Sequence, residues 1–279
     1  MQQLNQPIRG IDDSMASMTA YIIDNSPEIQ ADRKRPAILI LPGGGYENIS
    51  DREADPIAFK YLAADYSAFV LRYSVRPSTY PVALLQAAEA MRLIRAHADE
   101  WHIDANRIAV IGFSAGGHLA SNLATETGDE DERAYGYDPD EVRPNALLLA
   151  YPVITAGAHA HRGSFDSLLG IDNTNASKLD SVSIEKHIGR KTPPVFVWHT
   201  MTDALVPVEN TMLLIASLKK AGVSVEAHLY PEGEHGLSLG TMSVSPSDGR
   251  TVVSAVQSWM NLSIDWLNRT LRPEQDDRR

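Results

Sequence analysis

The chain of 279 residues contains no cysteine. That absence excludes disulfides, thiolate metal sites and a cysteine nucleophile together, so covalent chemistry falls to another residue type. A cationic excess is also missing: 25 Lys and Arg stand against 36 Asp and Glu, a formal net charge of -11 with pI near 5.2. Nucleic-acid binders gather Lys and Arg on one face, and no basic block occurs here, so nucleic acid is not an expected partner. No apolar run approaches the roughly 20 residues that span a bilayer. The opening "MQQLNQPIRGIDDSMAS" has neither a basic region followed by an apolar one nor an anchor motif. The expectation is a cytoplasmic protein without a membrane partner. Fixed-period repeats and low-complexity linkers are absent too, so nothing divides the chain into halves.

What is there is a chain that is 43% hydrophobic, enough for a sizeable core in a single domain spanning 1–279. "RPAILILPGGG", 35–45, is a short apolar run stopped by Pro and Gly, which suits a buried parallel strand entering a loop. "DPIAFKYLAADY", 55–66, reads as a helix and "SAFVLRYSV", 67–75, as a strand. Over 80–103, Leu84, Ala87, Ala88, Met91, Ile94 and Ala98 recur at spacings of three and four, which predicts an amphipathic helix with these residues in the core. Then follow "RIAVIGFS" (strand), "AGGHLASNLATE" (helix), "NALLLAYPVI" and "PPVFVWHTMTD" (strands), "VENTMLLIASLKKAGV" (helix), "SVEAHLYP" (strand) and a closing helix over 251–271. Such alternation calls for an α/β fold, a mostly parallel sheet covered by helices on both faces. The acidic stretch "GDEDERAYGYDPDE", 128–141, reads as a solvated surface loop. Residues 155–192 break the alternation and read as a small cap.

One hydroxyl is placed unusually. In "RIAVIGFSAGGHLASNLA" Ser114 stands between Gly112 and Gly116 where a strand must turn into a helix, the context that gives G-x-S-x-G its meaning. A tight turn lifts the serine Oγ above the carboxyl edge of the sheet, and the small neighbours let the two backbones close around a strained nucleophile. A serine attacks only when a base takes its proton and a third group orients that base. Negative charge on the attacked carbonyl needs backbone donors as well, and "PGGGY", 42–46, with the N–H of Ala115 would form such an oxyanion hole.

The base and acid should follow in the order Ser, Asp or Glu, His. Of nine histidines, His235 in "PEGEHGLSLG" lies in a Gly-flanked loop after the last predicted strand, where a ring can cross the sheet edge. His97, His102, His118, His199 and His228 sit in or beside predicted helices and strands and suit core or surface roles, while His159, His161 and His187 in the cap are placed to touch substrate but better suit a solvated face. Asp203 ends "VFVWHTMTD" beside that loop; Glu209 lies on the next helix, and Glu234 adjoins His235 too closely to hold the ring from behind. Tyr46, Tyr73 and Trp198 are candidates to line a pocket, although aromatics near strand ends are more often core; Tyr46 is taken as the substrate-binding candidate.

Together "LPGGGY" (41–46), "GFSAGGHLA" (112–120), "YPV" (151–153), "FVWHTMTDALVPVEN" (196–210) and "GEHGLSL" (233–239) resemble the α/β-hydrolase fold, and more narrowly bacterial esterases related to carbohydrate acetyl esterases and small lipase-like carboxylesterases. The resemblance implies Ser114 as nucleophile, Asp203 as acid, His235 as base, and the amides of Gly44, Gly45 and Ala115 for the oxyanion. Related esterases often carry H-G-G-G where this chain has Pro42 before Gly43, which leaves open which glycine donates. It further implies hydrolysis of short acyl esters, acetylated sugars or xylan fragments foremost, with no metal and no organic cofactor, and it admits a homodimer. The rivals are a peptidase or lipase of the same fold and a non-catalytic binding protein.

Overall fold

The computed structural model describes residues 1–272. The short apolar runs become strands of one eight-stranded sheet that an N-terminal hairpin extends: β1 Gln2–Arg9, β2 Met15–Ile22, β3 Arg35–Leu41, β4 Ser67–Arg72, β5 Ile103–Phe113, β6 Ala146–Ala150, β7 Val195–Thr200 and β8 Val225–Tyr230. Their order is β1-β2-β4-β3-β5-β6-β7-β8. β1 and β2 pair antiparallel, as do β2 and β4, and every pair from β4 onward is parallel. Between the strands run α1 Asp55–Ala63, α2 Val82–Ala96, α3 Ala115–Ala124, α4 Asp129–Ala134, α5 Pro139–Val142, α6 Arg162–Leu169, α7 Ala176–Ser181 and α8 Glu209–Ala221, and α9 Trp259–Thr270 follows β8. Among the described residues no helix is long and apolar enough to cross a membrane.

Side chains alternate across a strand, so a sheet buried on both faces has two cores. Leu39, Val110, Leu147 and Val197 face one core with α2, α3 and α8; Ile40, Ile111, Leu148 and Phe196 face the other with α1 and α9. This is the α/β-hydrolase architecture. All six residues expected on the core side of α2 are buried, although the helix stops before Ala98.

Two local expectations need correction, and one hairpin was not foreseen. The acidic stretch is not a loop: it folds into α4 and α5, and Asp129 and Glu132 are buried there. The cause is Arg143, itself buried, whose Nη2 donates to Asp129 Oδ1 at 2.7 Å. The closing α-helix begins at Trp259, because residues 251–255 form an irregular turn pinned by Val253 N–H to Gly240 O at 3.1 Å and Val256–Ser258 form a 3₁₀ turn. The hairpin of β1 and β2 gave no signal because β1 is an edge strand whose residues, Ile8 aside, are at least partly exposed.

Register places the site. Leu41 pairs with Gly112, and Phe113 with Ala150, so β3, β5 and β6 end level. The loops after β3, β5, β7 and β8 therefore leave the same carboxyl edge of the sheet, where ligands bind in open α/β folds.

Candidate active site

Ser114 follows β5 directly and has φ 53 and ψ -120, a conformation costing about 1–3 kcal/mol for a residue with a side chain. Its N–H donates to Ala150 O at 3.0 Å, and its carbonyl accepts from the N–H groups of Gly117, His118 and Val153. The turn needs its glycines. A Cβ on Gly112 would stand 2.2 Å from Gly116 O, and one on Gly116 would stand 2.1 Å from Leu41 O.

Three sequence-distant side chains meet here. His235 Nε2 lies 2.8 Å from Ser114 Oγ, and His235 Nδ1 lies 2.7 Å from Asp203 Oδ2. A carboxylate can only accept, so the ring proton sits on Nδ1 and Nε2 is free to accept from the serine hydroxyl. Asp203 is buried, with Oδ1 accepting from the N–H of Leu205 at 3.0 Å and of Val206 at 2.9 Å. Burial opposes its charge, but hydrogen bonds from His199 and His235, the His235 charge and the Val206 N–H outweigh it and hold the carboxyl well below the usual range.

His199 is buried, as expected of a strand residue, yet it also supports the acid, which the sequence reading missed. Its Nε2–H is shared between Val206 O at 3.0 Å and Asp203 Oδ2 at 3.2 Å, while Nδ1 accepts from Thr211 Oγ1 at 2.8 Å. The available signal was its place one turn of chain before Asp203 at the end of β7.

Ser114 and His235 open into a cleft of about 540 Å³, lined also by Gly44, Gly45, His161 and Leu205. The N–H of Gly43 donates to Glu53 Oε2 at 2.8 Å, which takes that amide away from a ligand. Gly44, Gly45 and Ala115 have no backbone acceptor for their N–H groups among the described residues. Such an arrangement can pass a proton from a hydroxyl to an imidazole beside unengaged amides.

Two expected placements change. His161 lines the cleft instead of a solvated face, with Nδ1 2.8 Å from Ser164 Oγ, and burial, then the charge of His235, lower its pKa. Tyr46 does not reach the cleft. With φ 57 its chain turns the ring into the core, where its hydroxyl donates to His118 Nδ1 at 2.9 Å. Burial pushes the His118 pKa down to about 4, and its Nε2–H donates to Val182 O at 2.8 Å, a neutral core histidine.

The sequence profile of the BD-FAE family matches residues 25–218. Endo-1,4-beta-xylanase B of Butyrivibrio fibrisolvens is 34% identical over 212 residues, covering 75% of this chain and 33% of that protein. The acetylxylan esterase of Xylanibacter ruminicola is 31% identical over 238 residues, covering 82% of this chain and 45% of that one. The chain thus spans less than half the length of either relative. The crystal structure of an acetyl ester-xyloside bifunctional hydrolase from Caldicellulosiruptor lactoaceticus superimposes with a TM-score of 0.78 at 39% identity, over 92% of this chain and 88% of that one.

Proposed function

The chain belongs to the BD-FAE family, and from that premise we propose that it is a serine carboxylesterase removing short acyl groups, acetyl foremost, from sugars or xylan fragments. The observation that carries the reading is the unbroken hydrogen-bonded run from Ser114 through His235 to Asp203. The likeness to an acetylxylan esterase and to an acetyl ester-xyloside hydrolase supports acetylated carbohydrate as the substrate class.

Ser114 Oγ attacks the ester carbonyl as His235 Nε2 takes its proton. Asp203, kept ionised by its four N–H donors, stabilises the imidazolium and holds its tautomer. The amides of Gly44, Gly45 and Ala115 receive the oxyanion, and each such donor is worth on the order of 3 kcal/mol. The alcohol departs with the proton from His235; water then repeats the cycle on the acyl-serine. These steps need no metal or organic cofactor. We read the chain as one hydrolase domain with 155–192 as a small cap, a view supported by His161, which reaches the cleft from that segment. A cytoplasmic location remains our expectation.

Turnover of p-nitrophenyl acetate by the wild type and by Ser114→Ala tests the proposal. Equal rates would overturn it. Acetylated xylo-oligosaccharides should then outcompete longer acyl esters, and a preference for butyrate or longer chains would remove the sugar-acetyl assignment.

A further inference from the structure

The acyl-transfer steps have no use for Glu53, yet this carboxyl is 2% exposed and borders the same cleft as Ser114. A Cβ on Gly43 would stand 2.7 Å from Glu53 Oε2 and 3.0 Å from Ser114 Cβ. Both its oxygens are engaged. Oε2 accepts from Gly43 N–H at 2.8 Å, and Oε1 accepts from the Tyr151 hydroxyl at 2.6 Å. Tyr151 Oη in turn accepts from the N–H of Ser238 at 2.9 Å, on the loop that carries His235. The Ser238 hydroxyl donates to Arg52 O at 2.6 Å, and Ser238 O accepts from Trp259 Nε1–H at 2.9 Å. The Tyr151 ring also stands edge-on to His235, 5.0 Å between centroids.

Resting on the esterase reading, we infer that Glu53 is a positioning residue: through Tyr151 it ties the glycine loop after β3 to the His235 loop and so sets the spacing between oxyanion amides and base. Backbone strain points the same way. Ser114, Tyr151 and Ser238 have φ of 53, 38 and 53, and non-glycine residues hold such values only where their surroundings over-determine them. All three meet at this network. By engaging Gly43 N–H, Glu53 also leaves the next two amides of the loop as the ones available to a ligand. Burial, then the neighbouring Glu53, keeps the Tyr151 phenol far above its ordinary pKa, so it stays a donor.

Glu53→Gln and Tyr151→Phe, singly and together, test the link. Each single variant should lower kcat on p-nitrophenyl acetate about 10- to 100-fold, counted per fluorophosphonate-titrated site, with KM within about twofold of wild type. Because both cut one chain of bonds, the double variant should fall no further than the worse single one. Unchanged kcat with a lowered Tm, or losses that multiply, would overturn the inference. Hydrogen exchange on the same proteins gives a readout independent of turnover. Tyr151→Phe should speed exchange across 42–48, and Glu53→Gln should speed it across 233–240. Effects confined to each variant's own side would refute the coupling. A wild type inert toward every ester would sink the esterase reading alone, while the exchange data would still decide whether Glu53 joins the two loops.

Discussion

Replacing Asp203 with asparagine exchanges one acceptor oxygen for an NH2 at nearly constant volume. Four donors converge on the native carboxylate, the N–H groups of Leu205 and Val206 on Oδ1 and those of His199 and His235 on Oδ2. An amide can satisfy only one of these pairs. If its NH2 faces the backbone pair, two buried N–H groups lose their acceptor, at about 1–3 kcal/mol each. If it faces the histidines, His235 must accept at Nδ1, and its proton moves to Nε2, pointing at Ser114. The serine proton then has no acceptor. Triads with the wrong tautomer lose on the order of 10⁴ in kcat, about 5.4 kcal/mol of barrier. The assay is kcat on p-nitrophenyl acetate with circular dichroism and urea unfolding to confirm a native fold. Acid stability adds a signed check. The folded carboxyl titrates below its ordinary value of 3.8, so its stabilisation is present above that pH and is lost as pH falls below it. Asp203→Asn should therefore be less stable than wild type at neutral pH and lose less on acidification. An Asp203→Asn that keeps both kcat within tenfold of wild type and an unchanged urea midpoint would refute the reasoning, because one of the two donor pairs must lose its acceptor.

His199→Phe keeps the buried ring but leaves Val206 O and the Thr211 hydroxyl unpaired; stability should fall about 1–3 kcal/mol and kcat up to about tenfold, and an unchanged urea midpoint would count against the support role. Glu132 carries the opposite sign from Asp203: burial, then Asp129, raises its pKa from 4.5 to about 8 against the pull of Arg143 and Arg133. The folded state keeps a proton that the unfolded chain releases, so stability should decline as pH rises from about 4.5 to about 8, and Glu132→Gln should flatten that decline; parallel urea midpoints from pH 5 to 8 would disprove it. Gly112→Ala would drive a methyl to 2.2 Å from Gly116 O, and we expect about 3 kcal/mol of destabilisation or no folded protein, whereas a wild-type Tm would contradict the close approach described.

Much of this was legible because it was local. β3, β6 and β7 are buried along their whole length, so their runs stand out in the chain, and Ser114 announces itself by the glycines its turn cannot do without. His235 and Asp203 could be chosen because chain order and loop position narrow the field. What escaped depends on distant partners. Tyr46 turned inward because of one backbone torsion and a histidine 72 residues away, and Glu53 acquires its role only from a tyrosine separated from it by 98 residues. Asp129 and Glu132 look solvated as a run of acids, and Arg143 reverses that once α4 and α5 fold around it.

The torsion at Ser114 sets the proposed chemistry against the durability of the fold. Glycine would occupy that bend without complaint, so a variant that surrenders the hydroxyl there should withstand heating better than its parent while doing nothing to an ester. Selection of libraries for thermal endurance alone would therefore drift toward inactive protein at this position, and any such screen has to score turnover in the same well.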